Sequence, residues 1–175
     1  MWLIGGGATT MAESSRMDAS GWLFLVVTFG VAFWLTVVPM PEWMTLYRPD
    51  WVALVMIYWS LALPRHAGVE LGWLFGLLLD VVFASLLGVH AMGLALVAFL
   101  VGRLHLQLRM FPWWQQAVSV LLLLLFYRGV TGWVRTLIGQ VQLDHTYWLP
   151  CVVGMLLWPW LSVLLDDVRR LARAG

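Results

Sequence analysis

The sequence predicts an all-α integral membrane protein, a bundle of six transmembrane helices. Three observations lead there. Hydrophobic residues make up 62% of the 175 residues and charged residues 11%, against about 45–50% and about 25% in soluble domains. Long apolar runs recur, separated by prolines and polar clusters. The thirteen tryptophans are a surplus of a residue that favours membrane–water interfaces.

Other classes are disfavoured by the same composition. The length allows one domain. All the basic residues are Arg, and the formal net charge is only +1, so nothing points to nucleic acid. The lone Cys151 cannot form an internal disulfide.

Residues 1–20 contain Gly5-Gly6-Gly7, Glu13, Arg16 and Asp18 and read as a cytoplasmic tail, with Met11 a second candidate start. The first apolar run begins only at Trp22, and no small-residue cleavage site follows it, so a cleavable signal is not expected. Residues 21–168 form the transmembrane domain and 169–175 a cytoplasmic C-terminal tail.

The first span is 22–38, ended by Pro39 and Pro41. Residues 42–50 make an interfacial connection with Trp43, Tyr47 and Arg48. The second run, 51–63, is short for a span, which usually needs about 17–25 residues. It reads as a tight span closed by Pro64, or as a re-entrant segment.

The third run, 68–88, is the expected packing centre. Gly72, Gly76 and Asp80 recur every four residues on one helix face. Glycines at that spacing admit another helix closely. A carboxyl group in hydrocarbon costs about 2.5–3.5 kcal/mol on insertion scales, so Asp80 must face protein or water. A turn at 88–90 leads to the fourth run, 91–101, which continues into Arg103, His105 and Arg109. Pro112, Trp113 and Trp114 open the fifth helix, whose apolar run 117–134 contains Arg128. A polar loop at 139–145 precedes the sixth, 147–165, with Pro159 inside Trp158-Pro159-Trp160.

Six spans put both ends of the chain on one side. Arg16, Arg65, Arg103, Arg109, Arg169, Arg170 and Arg173 fall on that side, against Arg48 and Arg135 on the other. Basic residues concentrate in the cytoplasm, so both termini are expected there.

Several motifs then resemble one family in order and spacing. They are Arg48-Pro49-Asp50-Trp51, Tyr58-Trp59 with Leu61-Ala62-Leu63-Pro64-Arg65, Gly72-x3-Gly76-x3-Asp80 with Leu87-Gly88-Val89, Trp114-Gln115-Gln116-Ala117, and Leu157-Trp158-Pro159-Trp160. From about Pro39 to the C-terminus the chain resembles the MreD family of rod shape-determining proteins. That resemblance implies an inner-membrane scaffold of the bacterial elongation machinery (the elongasome), without catalytic activity or cofactor. The implied partners are MreC, RodA, a class B penicillin-binding transpeptidase and the MreB filament. The implied bundle resembles the substrate-binding subunits of energy-coupling-factor transporters.

Among candidate sites, Asp80 is the sharpest. One reading is a proton or ion site, or a contact with a partner helix; the other is an internal pair that fixes the bundle. Arg128 is its expected partner, since both fall in the outward half of helices running the same way. Gly72 and Gly76 serve either a partner's helix or internal packing. Pro49 holds Arg48 out of helical geometry, and Asp50 can cap the helix that follows; an outward partner contact is the alternative. Trp158, Pro159 and Trp160 read as a kink at the cytoplasmic interface. His90 reads as interfacial. No His, Cys or Asp spacing matches a metal site, and Ser85 and Ser119 lack a base at a recognisable spacing. Two functions follow: a scaffold that binds partners' membrane anchors and lipid, or a small-molecule binding or transport subunit with Asp80 and Arg128 in a polar cavity.

Overall fold

The computed structural model describes residues 19–64, 67–139 and 144–174, and among these every regular element is helical. In chain order they are α1 (Ala19–Val37), the single turn α2 (Glu42–Thr45), α3 (Trp51–Ala62), α4 (Val69–Val82), α5 (Val89–Met110), α6 (Trp113–Leu137), a 3₁₀ turn (His145–Trp148) and α7 (Leu149–Ala174). Three stretches are long and apolar enough to cross a membrane: α5, α6 and His145–Arg170. On that ground the chain is an integral membrane protein. The segment 169–174, expected as a tail, continues α7. Residues 1–18, Arg65, His66, 140–143 and Gly175 lie outside the described residues.

The packing centre is α3, not the expected 68–88 stretch. All ten residues from Val52 to Leu61 are buried. Helices α1, α5, α6 and α7 pack around them. Twelve residues rise only about 18 Å, against a hydrocarbon core of roughly 30 Å. A helix this short can be apolar on every side because neighbouring helices, rather than lipid, cover it. Its polar groups find partners in those neighbours. Trp59 Nε1 donates to Thr28 Oγ1 at 2.9 Å, and the Tyr58 hydroxyl donates to Asp166 Oδ1 at 2.6 Å. These bonds tie α3 to α1 and α7.

Helix α4 is peripheral. It buries Gly72, Gly76, Leu79 and Asp80 and turns Trp73, Leu74, Leu78 and Val81 outward. It also ends earlier than expected, at Val82. The Ser85 N–H bonds Asp80 O at 2.9 Å and the Ala84 N–H bonds Val81 O at 3.2 Å. This is the Schellman pattern that closes helix C-termini. Ala84 takes the left-handed position, φ 47°, usually held by glycine.

The later helices run as the sequence expects, with longer ends. Gly93 of α5 lies where a Cβ would meet Tyr127 Cδ2 at 2.8 Å, and Gly154 of α7 where one would meet Leu124 Cδ1 at 2.6 Å. Small residues thus set the α5–α6 and α6–α7 approaches. Helix α7 passes through Pro159 without ending. The expected tryptophan pair is split across it: Trp158 is in the core while Trp160 is 79% exposed. Trp158 is therefore a packing residue, not an interfacial one.

Candidate functional site at the Asp50 end of the bundle

A group of buried and half-buried polar side chains gathers where α1 ends, α3 begins and α4 turns into α5. Asp80 organises the hairpin. The first N–H groups of a helix have no partner within it, and the cap position of α5 is Gly88, which has no side chain to offer. Asp80 supplies the missing acceptors from the preceding helix. Its Oδ2 accepts from Gly88 N at 2.8 Å and Ala91 N at 3.3 Å, and its Oδ1 from His90 N at 3.0 Å. Ser85 Oγ at 2.8 Å and His90 Nδ1 at 2.8 Å complete the shell around Oδ1. The carboxylate is fully buried and fully satisfied, as a charge away from water requires.

Gly72 and Gly76 serve the same hairpin. A Cβ on Gly76 would lie 2.2 Å from Ala91 Cα, and one on Gly72 2.8 Å from Leu94 O. Backbone meets backbone along this face, so α5 of the same chain occupies it. A partner's helix finds no room there.

The second cluster joins α6 to the segment before α3. Arg128 Nε donates to Asp50 Oδ2 at 2.6 Å and Nη2 to Oδ1 at 3.1 Å. This two-point match of guanidinium to carboxylate is the strongest form of the pair. Arg128 Nη1 donates to Tyr147 O at 2.6 Å, and the Tyr147 hydroxyl returns a bond to Arg128 O at 3.2 Å. Nearby, Arg48 donates through Nη2 to the carbonyls of Leu35, at 2.8 Å, and Thr36. It closes the C-terminal end of α1, where a cation is favoured. Arg48, Asp50, Arg128, His90 and Tyr127 line one cavity of about 160 Å³.

The family model for the rod shape-determining protein MreD matches residues 18–168. The chain belongs to the MreD family. The rod shape-determining protein MreD of Haemophilus influenzae is 32% identical over an alignment of 156 residues that covers 85% of this chain and 92% of that protein. No solved structure matches.

For this MreD family member, the expected site residues are placed as follows. Asp80 and Arg128 do not pair with each other. Asp80 stands at the mouth of the hairpin, beside three backbone donors and His90, while Arg128 meets Asp50 from the α2–α3 connection. Asp50 makes no side-chain cap on α3, because both its oxygens are taken by Arg128. His90 is buried beneath the cavity, not interfacial. Ser85, Asp80 and His90 do cluster, but Ser85 Oγ and Asp80 Oδ1 both approach the same ring atom, Nδ1, at 3.3 and 2.8 Å. A hydrolytic relay needs the base between nucleophile and acid, one on each ring nitrogen. Among the described residues no group of His, Cys, Asp and Glu could hold a metal ion.

Sequence reasoning missed two links. Asp50 to Arg128 spans 78 residues and leaves no local spacing to read. His90 was readable in part. A helix starting after glycine has no cap of its own, and an unpaired carboxylate precedes it by eight residues.

Proposed function

We propose that this MreD family member acts in rod-shape determination as a non-enzymatic scaffold in the bacterial inner membrane, with both termini cytoplasmic. Its occupants are the membrane anchors of MreC, RodA and the class B transpeptidase. MreB meets its Arg-rich end. Family membership carries the reading. The fold supports it in two ways. The centre is filled by α3 rather than left open as a transport route, and the polar groups at Asp80 and Asp50 are spent on holding helices together. Apolar side chains face outward along α1, α4 and α7, including Val27, Trp34, Leu74, Val81, Leu156 and Val163. These are surfaces that either lipid or a transmembrane anchor can cover.

The test is co-purification of the tagged full chain with MreC from membranes of a rod-shaped host, paired with restoration of rod shape in cells lacking their own MreD. Capture of MreC together with restored shape is expected. Restored shape with no detectable partner, or solute uptake by vesicles holding the chain alone, would overturn the scaffold reading. A second reading, a small-molecule binding subunit, draws on the polar cavity at the Asp50 end.

A further inference from the structure

We infer that the cavity at the Asp50 end is a binding site for one phosphate-class oxyanion. The inference goes beyond the scaffold reading and does not depend on it. Two guanidinium groups line the cavity, and one carboxylate, Asp50, faces them. The Asp50 oxygens are both bonded to Arg128. Each guanidinium carries five N–H donors. Arg128 spends three of them and Arg48 two. The cavity wall therefore holds a surplus of positive charge and of donors, with its acidic acceptor already taken.

Two further observations point the same way. Arg48 Nε and Trp51 Nε1 belong to residues of the cavity wall and have no hydrogen-bond partner; both atoms are closed off from water-sized groups, so an anion reaches them by a small shift of the wall. Unpaired buried donors are costly and rare, and a bound anion is one of their standard explanations. No side chain caps α3, whose first-turn residues Val52 and Ala53 also line the cavity. Its free N–H groups add to the preference for an anion. The volume, about 160 Å³, equals about five water-sized groups, which suits a phosphate with its four oxygens. The cavity is at one end of a membrane bundle, so the phosphate has two possible sources, a lipid headgroup or a free anion.

The experiment uses the full chain purified in detergent. Thermal unfolding is followed with inorganic phosphate against chloride at equal ionic strength. A second arm compares short-chain phosphatidylglycerol with a phosphate-free glycerolipid of the same chain length. Saturable stabilisation by inorganic phosphate assigns a free anion. Stabilisation by the phospholipid alone assigns a headgroup. Trp51→Phe keeps the ring and removes one donor, so it should weaken the binding at least about tenfold, the effect of one charge-assisted hydrogen bond. Arg48→Gln should weaken it further. Absence of stabilisation in both arms, or binding unchanged in both variants, overturns the site. If neither variant folds, the phosphate-against-chloride and phospholipid-against-glycerolipid comparisons on the unaltered chain decide: a difference in either supports the site, and none in both rejects it.

Discussion

Asp80 and His90 are joined twice, once through the His90 backbone N–H at 3.0 Å and once through its ring Nδ1 at 2.8 Å, both on Asp80 Oδ1. One carboxylate thus caps the start of α5 and fixes the ring above it. This explains an intramembrane acid without a catalytic role: it replaces the cap that Gly88 cannot provide.

Asp80→Ala should be severely destabilising. It leaves three backbone N–H groups and the His90 ring without their acceptor. Loss of one member of a buried polar pair costs about 3–5 kcal/mol. Asp80→Asn should be milder but still harmful, because its NH₂ group would face one set of N–H donors. Thermal unfolding in detergent and abundance in membranes measure both. Wild-type stability of the alanine variant would refute the capping role.

The glycines give a graded series. Gly76→Ala forces a Cβ to within 2.2 Å of Ala91 Cα, Gly72→Ala to 2.8 Å of Leu94 O, and Gly30→Ala meets nothing within 4 Å. Overpacking costs about 1–3 kcal/mol or more, while alanine is a better helix former than glycine by about 1 kcal/mol. The expected order of melting temperatures is Gly30→Ala at or above wild type, then Gly72→Ala, then Gly76→Ala lowest. Equal effects at 30 and 76 would contradict the close α4–α5 approach.

The sequence made some of this legible and hid the rest for definite reasons. Gly72, Gly76 and Asp80 announce a close helix contact by their spacing, a local property. Which helix they meet is not local. Nothing in a run of apolar residues says whether lipid or protein covers it, so 51–63 reads as a tight span or a re-entrant segment without revealing that Val52 to Leu61 are enclosed by other helices. The Asp80–Arg128 pairing followed from equal depth in the membrane. Depth alone does not set rotation about the helix axis, and rotation is what gives Arg128 to Asp50.

Arg128 and Asp50 should be energetically coupled. Their side chains are 16% and 24% exposed, so the pair is mostly but not wholly shielded. Single substitutions Asp50→Asn and Arg128→Gln should each destabilise, and the double variant should lose less than their sum, with a coupling of about 1–3 kcal/mol. Recovery should stay partial because Arg128 also holds Tyr147 O. Additive effects in the double-variant cycle would mean that the pair contributes nothing beyond its separate residues.

Ala84→Gly should raise stability. Ala84 sits at φ 47°, a left-handed geometry that costs an L-residue about 1–2 kcal/mol and glycine little. Part of that gain is lost to the greater freedom of glycine in the unfolded chain. The net gain should be about 0.5–1 kcal/mol. Ala84 is exposed, so no packing change obscures the measurement by thermal unfolding. A fall in melting temperature would mean the turn after α4 is not closed as described.

Whether α3 carries the chain across the bilayer can be decided by labelling single cysteines. The native Cys151 is fully buried and should stay silent to a membrane-impermeant maleimide, so it need not be removed. Leu46, Leu86 and Met110 are exposed at 47%, 54% and 78%; the first two occupy the connections after α2 and α4, and Met110 is the last residue of α5. If α3 and α4 both cross, Leu46→Cys and Leu86→Cys label from the same side of the membrane and Met110→Cys from the other. In intact spheroplasts the first two should react at once and the third only after permeabilisation. If α3 is re-entrant instead, the chain returns to its starting side before α4, and Leu46→Cys and Leu86→Cys label from opposite sides. The twelve-residue length of α3 makes that comparison the decisive one: its ends reach both faces only if the neighbouring helices and their polar termini thin the bilayer around it.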